Sequence, residues 1–276
     1  KTNMRLSYFT AILLFLLFTG CDNKPISVQL AEVDSLVVAE LNDSAYQLVK
    51  SLDEKTITNP EDRAHYNLLM TQTSILAGSP LPSDSLLDVA IGYYQQTDNK
   101  EKLADAYYYK GINAYNAKDD LLSMTYFKKA EEMAEKGGTL RQRYKIAECI
   151  SFVNNINGKY DLALNYAKQA LLFAKRINNK RWLADAYYRL GDSFSHIGMQ
   201  DSAVYYFSEM EPYIKEVPES YRPHMLTNLA LAYMERDQKK AKILIQEVLH
   251  PVRLLYSRTT RLHYDNRPRR KNDEEL

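Results

Sequence analysis

This chain has little cysteine, with only Cys21 and Cys149 in 276 residues. If Cys21 is consumed at a processed N-terminus, one thiol remains, no internal disulfide can form, and stability must come from packing. An excess of either charge is missing too. Thirty-six basic residues against 35 acidic ones leave a net charge of +1, so the chain as a whole lacks the electrostatic footprint of a polyanion binder. Catalytic motifs are also missing. The histidines, His65, His196, His224, His250 and His263, include no i, i+4 pair around a glutamate as a zinc hydrolase needs. Gly137 and Gly138 are not followed by Lys-Ser/Thr, and no G-x-S-x-G elbow occurs. With no cluster that could supply acid, base and stabiliser, no enzyme activity, cofactor or metal is expected.

What is present is a repeat. LADAYYYKG at Leu103 to Gly111 returns as LADAYYRLG at Leu183 to Gly191. Downstream of the second copy, Tyr187, Leu190, Gly191 and Phe194 are followed by Ala203 and Phe207; the first copy reads Tyr107, Lys110, Gly111, Ala114, Ser123, Phe127 and Ala130. This spacing resembles the tetratricopeptide repeat (TPR) unit, in which a small residue lets two helices approach while rings fill the space beside it. Halving the interval gives a period of about forty residues and lines up Ser83, Ser123, Ala163 and Ala203, and separately Ala90, Ala130 and Ala170. The resemblance implies an all-α, right-handed superhelical solenoid of about six antiparallel helix pairs. HEAT-like repeats reach this length but lack the Tyr/Gly/Ala/Phe spacing. Tyrosine, at 22 residues against eight phenylalanines and one tryptophan, suits such an array, because its ring can pack while its hydroxyl reaches a groove or solvent.

Turn signals place the helices. Asp43-Ser44 is expected to cap the second helix, and Thr58-Asn59-Pro60 to open the third. Lys118-Asp119-Asp120 and Asn157-Gly158-Lys159 mark turns inside pairs, and Gly137-Gly138 and Asn178-Asn179 mark turns between them. Cys149 sits in an apolar helical stripe and is expected to be a buried structural thiol.

At the N-terminus, Lys1 and Arg5 precede an apolar run from Leu6 to Phe18 that ends in Thr19-Gly20-Cys21. The run is shorter than the roughly 18 to 20 residues of a membrane span. Its ending resembles the lipobox of bacterial lipoproteins, which implies lipidation of Cys21 and anchoring in a bacterial cell envelope. Residues 1–20 thus read as a lipoprotein signal peptide, 21–27 as a tether and 28–250 as the repeat domain. Residues 251–276, rich in arginine and punctuated by Pro251 and Pro268, read as a disordered basic tail.

The lipobox, the Pro60-Glu61-Asp62-Arg63-Ala64 start, the Ser83-Asp84-Ser85-Leu86 segment and the long repeats together resemble TPR lipoproteins of the Bacteroides type. They are related to the repeat regions of TPR-containing regulators. The resemblance implies a membrane-anchored scaffold that holds a protein or peptide in its concave groove, without nucleic acid binding by the repeat domain. The alternative it implies is the sensor half of a membrane-associated transcriptional regulator or histidine kinase whose output domain is absent. Groove positions carried over on Gly111 and Gly191 are Asp105, Tyr108, Ile112 and Tyr115, then Lys145, Glu148, Phe152 and Asn155, then Asp185, Tyr188, Asp192 and Ser195. Only Lys145 and Asn155 among them resemble parts of a carboxylate clamp, so no such clamp is expected. In each of the dipeptides Tyr107-Tyr108 and Tyr187-Tyr188, one ring is expected to pack and its neighbour to face the groove.

Overall fold

The computed structural model describes residues 24–234 and 236–249. The signal peptide, Cys21 and the basic tail lie outside the described residues. Among the described residues all regular structure is helical. The chain divides into two compact units, the first reaching Lys110 and the second starting at Gly111.

The first unit holds α1 (Ile26–Val38), α2 (Asn42–Ser51), α3 (Pro60–Leu76), α4 (Ser85–Gln96) and most of α5 (Lys100–Asn116). Leu30, Val33 and Val37 on α1 meet Ala45 and Val49 on α2, and Tyr66 and Leu69 on α3, in one apolar cluster. The helices start for identifiable reasons. Asn59 accepts hydrogen bonds from the Glu61 and Asp62 amides, and Pro60 occupies the first turn, where its missing N–H costs nothing. The expected cap at Asp43-Ser44 is not found: α2 begins earlier, with Leu41 at the cap and no side-chain cap bond, and Asp43 sits in the first turn facing the helix dipole. Ser83 also departs from expectation, since it is exposed and precedes α4. Ion pairs tie the helices of this unit together. Lys102 Nζ lies 2.8 Å from His65 Nε2 and 3.3 Å from Asp34, and Lys110 pairs with Asp84 and Asp88.

The second unit holds the end of α5, then α6 (Asp120–Gly137), α7 (Leu140–Ile156), α8 (Tyr160–Ile177), α9 (Lys180–His196), α10 (Gln200–Met210), α11 (Arg222–Tyr233) and α12 (238–249). Lys118 (φ +63°) and Gly158 (φ +71°) take the left-handed conformation in turns within pairs, and Asn178 (φ +57°) takes it in a turn between pairs. The periodic small residues Ser123, Ala163, Ala203, Ala130 and Ala170 are all fully buried.

Within each pair the close approach is now explicit. A Cβ placed on Gly191 would lie 2.5 Å from the Phe207 ring, and one on Gly111 would lie 2.6 Å from the Phe127 ring. One period from each glycine stands Ser151, and one period from each phenylalanine stands Ala167; both are fully buried. The Ser151 hydroxyl donates to the Ala163 carbonyl at 2.8 Å. Where the first helix gives up its side chain the second contributes a ring, and where the first keeps a hydroxymethyl the second shrinks to a methyl. The two arrangements conserve volume, which dense packing requires. Cys149 is half-buried, not buried, and lies beside Glu148.

Candidate functional site

Three first helices of consecutive pairs, α7, α9 and α11, are set up by local sequence. Thr139 and Gln142 form a reciprocal capping box on α7. Asn179 caps α9 by accepting from the Trp182 amide at 3.1 Å, and a proline in the first turn opens α11. Helical spacing then aligns Glu148, Phe152 and Asn155 on α7, Asp185, Tyr188, Arg189, Asp192 and Ser195 on α9, and His224, Asn228 and Leu231 on α11.

A groove of about 960 Å³ runs over these helices, entirely within the second unit. Of the carried-over positions it is lined by Phe152, Asn155, Tyr188, Asp192 and Ser195. Ile112, Tyr115 and Lys145 are half-buried in the same unit and do not line it; the Tyr115 ring stands edge-on to Phe152 at 5.4 Å. Tyr108 belongs to the first unit, half-buried with its ring edge-on to Tyr109. Tyr187 and Tyr188 are both buried, and of the two only Tyr188 lines the groove. Tyr188 packs its ring on Phe207 and gives only its hydroxyl to the polar surface.

That surface carries three hydrogen-bonded groups. Arg189 Nε donates to Glu148 Oε1 at 2.7 Å, and its guanidinium lies 4.6 Å over the Phe152 ring. Asn155 Nδ2 donates to Asp192 Oδ2 at 2.5 Å. Asn228 Nδ2 donates to the Tyr188 hydroxyl at 2.7 Å, and His224 Nε2 lies 2.8 Å from the same oxygen. His196 stacks on Tyr160, with centroids 4.9 Å apart, and lies 3.7 Å from Asp192. Burial alone would lower the Arg189 pKa, yet the charge and hydrogen bond of Glu148 hold it above the usual value. Burial, reinforced by Glu148, lifts Asp185 to about 6 against the opposing pull of Arg181 and Arg189. Burial raises the Tyr188 phenol, and Asp192 adds to the effect.

Sequence reasoning missed Arg189, His224, Asn228 and the Tyr160–His196 stack. Asn228 lies one period beyond Tyr188, so carrying the groove alignment into the next repeat would have found it. Arg189 stands where Tyr109 stands two periods earlier, a slot that reads as core. Chemically the groove offers hydrogen-bonding groups over aromatic walls, which suits binding. Among the described residues no group of three or more His, Cys, Asp or Glu could hold a metal ion, and no helix is long and apolar enough to cross a membrane.

Antiparallel helix pairs, the forty-residue period and the Gly–Phe contacts define a TPR-like helical repeat fold. Solved structures agree. A Rap protein complexed with competence and sporulation factor is similar over 82% of this chain and 64% of its own, at 18% identity and TM-score 0.61. BtubC from P. vanneervenii is similar over 92% and 98%, at 14% identity and TM-score 0.59. A putative kinesin light chain of Podospora anserina with nearly identical TPR-like repeats is similar over 74% and 100%, at 13% identity and TM-score 0.53. The chain thus spans just under two thirds of the Rap protein's length. No protein-family model and no curated protein sequence matches the chain.

Proposed function

We propose that the chain is a scaffold that holds a protein or peptide partner in the groove over α7, α9 and α11, and that lipid on Cys21 anchors it to a membrane of the bacterial cell envelope. The observation that carries the binding role is the groove itself. Its walls come from three successive repeats, and its polar groups are held by side-chain hydrogen bonds that pre-orient them for an extended ligand. The Rap protein of similar fold was solved in complex with competence and sporulation factor, which supports a bound segment on such a surface. The anchoring role rests on Thr19-Gly20-Cys21 after a short apolar run. Several acyl chains at one residue hold far more firmly than a single chain, since each buried methylene contributes about 0.8 kcal/mol.

Photo-crosslinking tests the groove. A benzophenone amino acid at Ile156, which is exposed in the groove wall, should capture a defined partner band from envelope extract. The same probe at Leu172, exposed on α8 away from the groove lining, should not. Equal capture at both positions removes the groove from the reading. For the anchor, Cys21→Ser should abolish labelled palmitate incorporation and release the protein from the membrane fraction. Unchanged labelling refutes lipidation at that residue.

A further inference from the structure

Charge in the groove is unevenly answered. Glu148 has the Arg189 guanidinium at 2.7 Å, and Arg236 at the groove's end pairs with Asp201. Asp192 feels the Arg189 charge from a distance, while its own oxygens have a neutral amide on one side and, 3.7 Å away on the other, a half-exposed imidazole stacked on Tyr160. Beside it, Asn155 is more than nine-tenths buried, and its Oδ1 has no hydrogen-bond donor. The amide orientation is fixed, because only Nδ2 can donate to a carboxylate. A buried acceptor left unsatisfied is costly, which marks this corner of the groove as incomplete.

We propose that the bound segment places an arginine side chain against Asp192, an inference that rests on the groove being a peptide site. The guanidinium donates its two-pronged fork to the Asp192 carboxylate, whose Oδ2 has a second lone pair beside the one the Asn155 amide uses. Asn155 keeps its bond to Asp192, because turning the amide to free Oδ1 would leave Nδ2 buried without an acceptor. The pairing gives Asp192 a counter-charge at hydrogen-bond distance. Arginine fits better than lysine because its planar fork matches a carboxylate with two parallel bonds, and because it can lie flat on the Tyr160–His196 stack. The exposed side chains of Ile156, Leu231 and Met234 provide apolar surface for the arginine stem and its neighbours.

The test is capture of a randomised nonapeptide library by the purified full-length protein, followed by sequencing of the bound pool. Arginine should be enriched at least tenfold at one position, and Asp192→Asn, which keeps the shape and an acceptor for Asn155, should erase the enrichment. A readout that needs no variant is replacement of that arginine by citrulline in one selected peptide, which should weaken binding by tenfold or more. Enrichment of apolar or acidic residues without arginine overturns the proposal and leaves the peptide groove standing. Displacement of the selected peptide by spermidine at its own affinity overturns it in favour of a small polyamine ligand. A bound pool enriched at no position overturns both the proposal and the peptide groove.

Discussion

The tightest contact between paired helices gives the sharpest test of the fold. Gly191 lies inside α9, and an added methyl would sit 2.5, 2.6 and 2.8 Å from three carbons of the Phe207 ring. Two effects of Gly191→Ala oppose each other. Alanine favours a helix interior by about 1 kcal/mol over glycine. Overpacking a dense core costs about 1–3 kcal/mol, and the upper part of that range applies because the ring is itself fully buried and cannot swing into solvent. A net loss of about 1 kcal/mol is expected, measured as a lower urea midpoint by far-UV circular dichroism. Repeat arrays can unfold in more than one step, so the decisive quantity is a difference between backgrounds. Phe207→Ala alone should cost about 3–5 kcal/mol. On that background the added methyl enters empty space, and Gly191→Ala should stabilise by about 1 kcal/mol. The sign reversal is the signature of contact. If Gly191→Ala changes stability equally with and without the Phe207 ring, the close approach is not what the glycine serves.

Three further outcomes follow from the same structure. Lys118→Gly should raise the unfolding midpoint, by about 0.5–1 kcal/mol, because a non-glycine residue at φ +63° carries a left-handed penalty; a fall would refute the strain. Asp185 has a folded pKa of about 6, above the ordinary 3.8, so its stabilising contribution is full below the ordinary value and is lost as pH rises through 6. Asp185→Asn should therefore stabilise by about 1–3 kcal/mol at pH 8 and much less at pH 4 by thermal melts, and a pH-independent effect would refute the linkage. Arg189→Met should destabilise by about 2–4 kcal/mol, since Glu148 and Asp185 would then face each other without the guanidinium; the double variant with Glu148→Gln should recover part of the loss.

The repeat was legible because its period is written in residues whose size matters. Glycine at 111 and 191, phenylalanine at 127 and 207, and alanine at 130 and 170 are where sequence pattern and geometry coincide. Asn59 with Pro60 was legible for a local reason, since a cap needs only its own turn. Asp43-Ser44 misled because cap propensity cannot say which of several adjacent polar residues the chain starts from. Arg189 was hidden in a different way: its position reads as core, and only the facing Glu148, 41 residues earlier in sequence, makes a charge tolerable there. The burial of both Tyr187 and Tyr188 was not legible either, because residues 100° apart on a helix can both lie inward when neighbours flank it on two sides.

The alternation of Gly–Phe with Ser–Ala also sets how such a chain can be inherited and rearranged. A crossover inside a pair would join a glycine helix to an alanine partner and leave a hole the size of a phenyl ring, or drive a serine into a phenylalanine. A crossover at Gly138-Thr139 or Asn178-Asn179, between pairs, moves both members of a matched couple together. The unit that moves with its own interior packing intact is therefore the pair, and what must be matched anew at a joint is the set of contacts between pairs, such as Arg189 with Glu148 across Asn178.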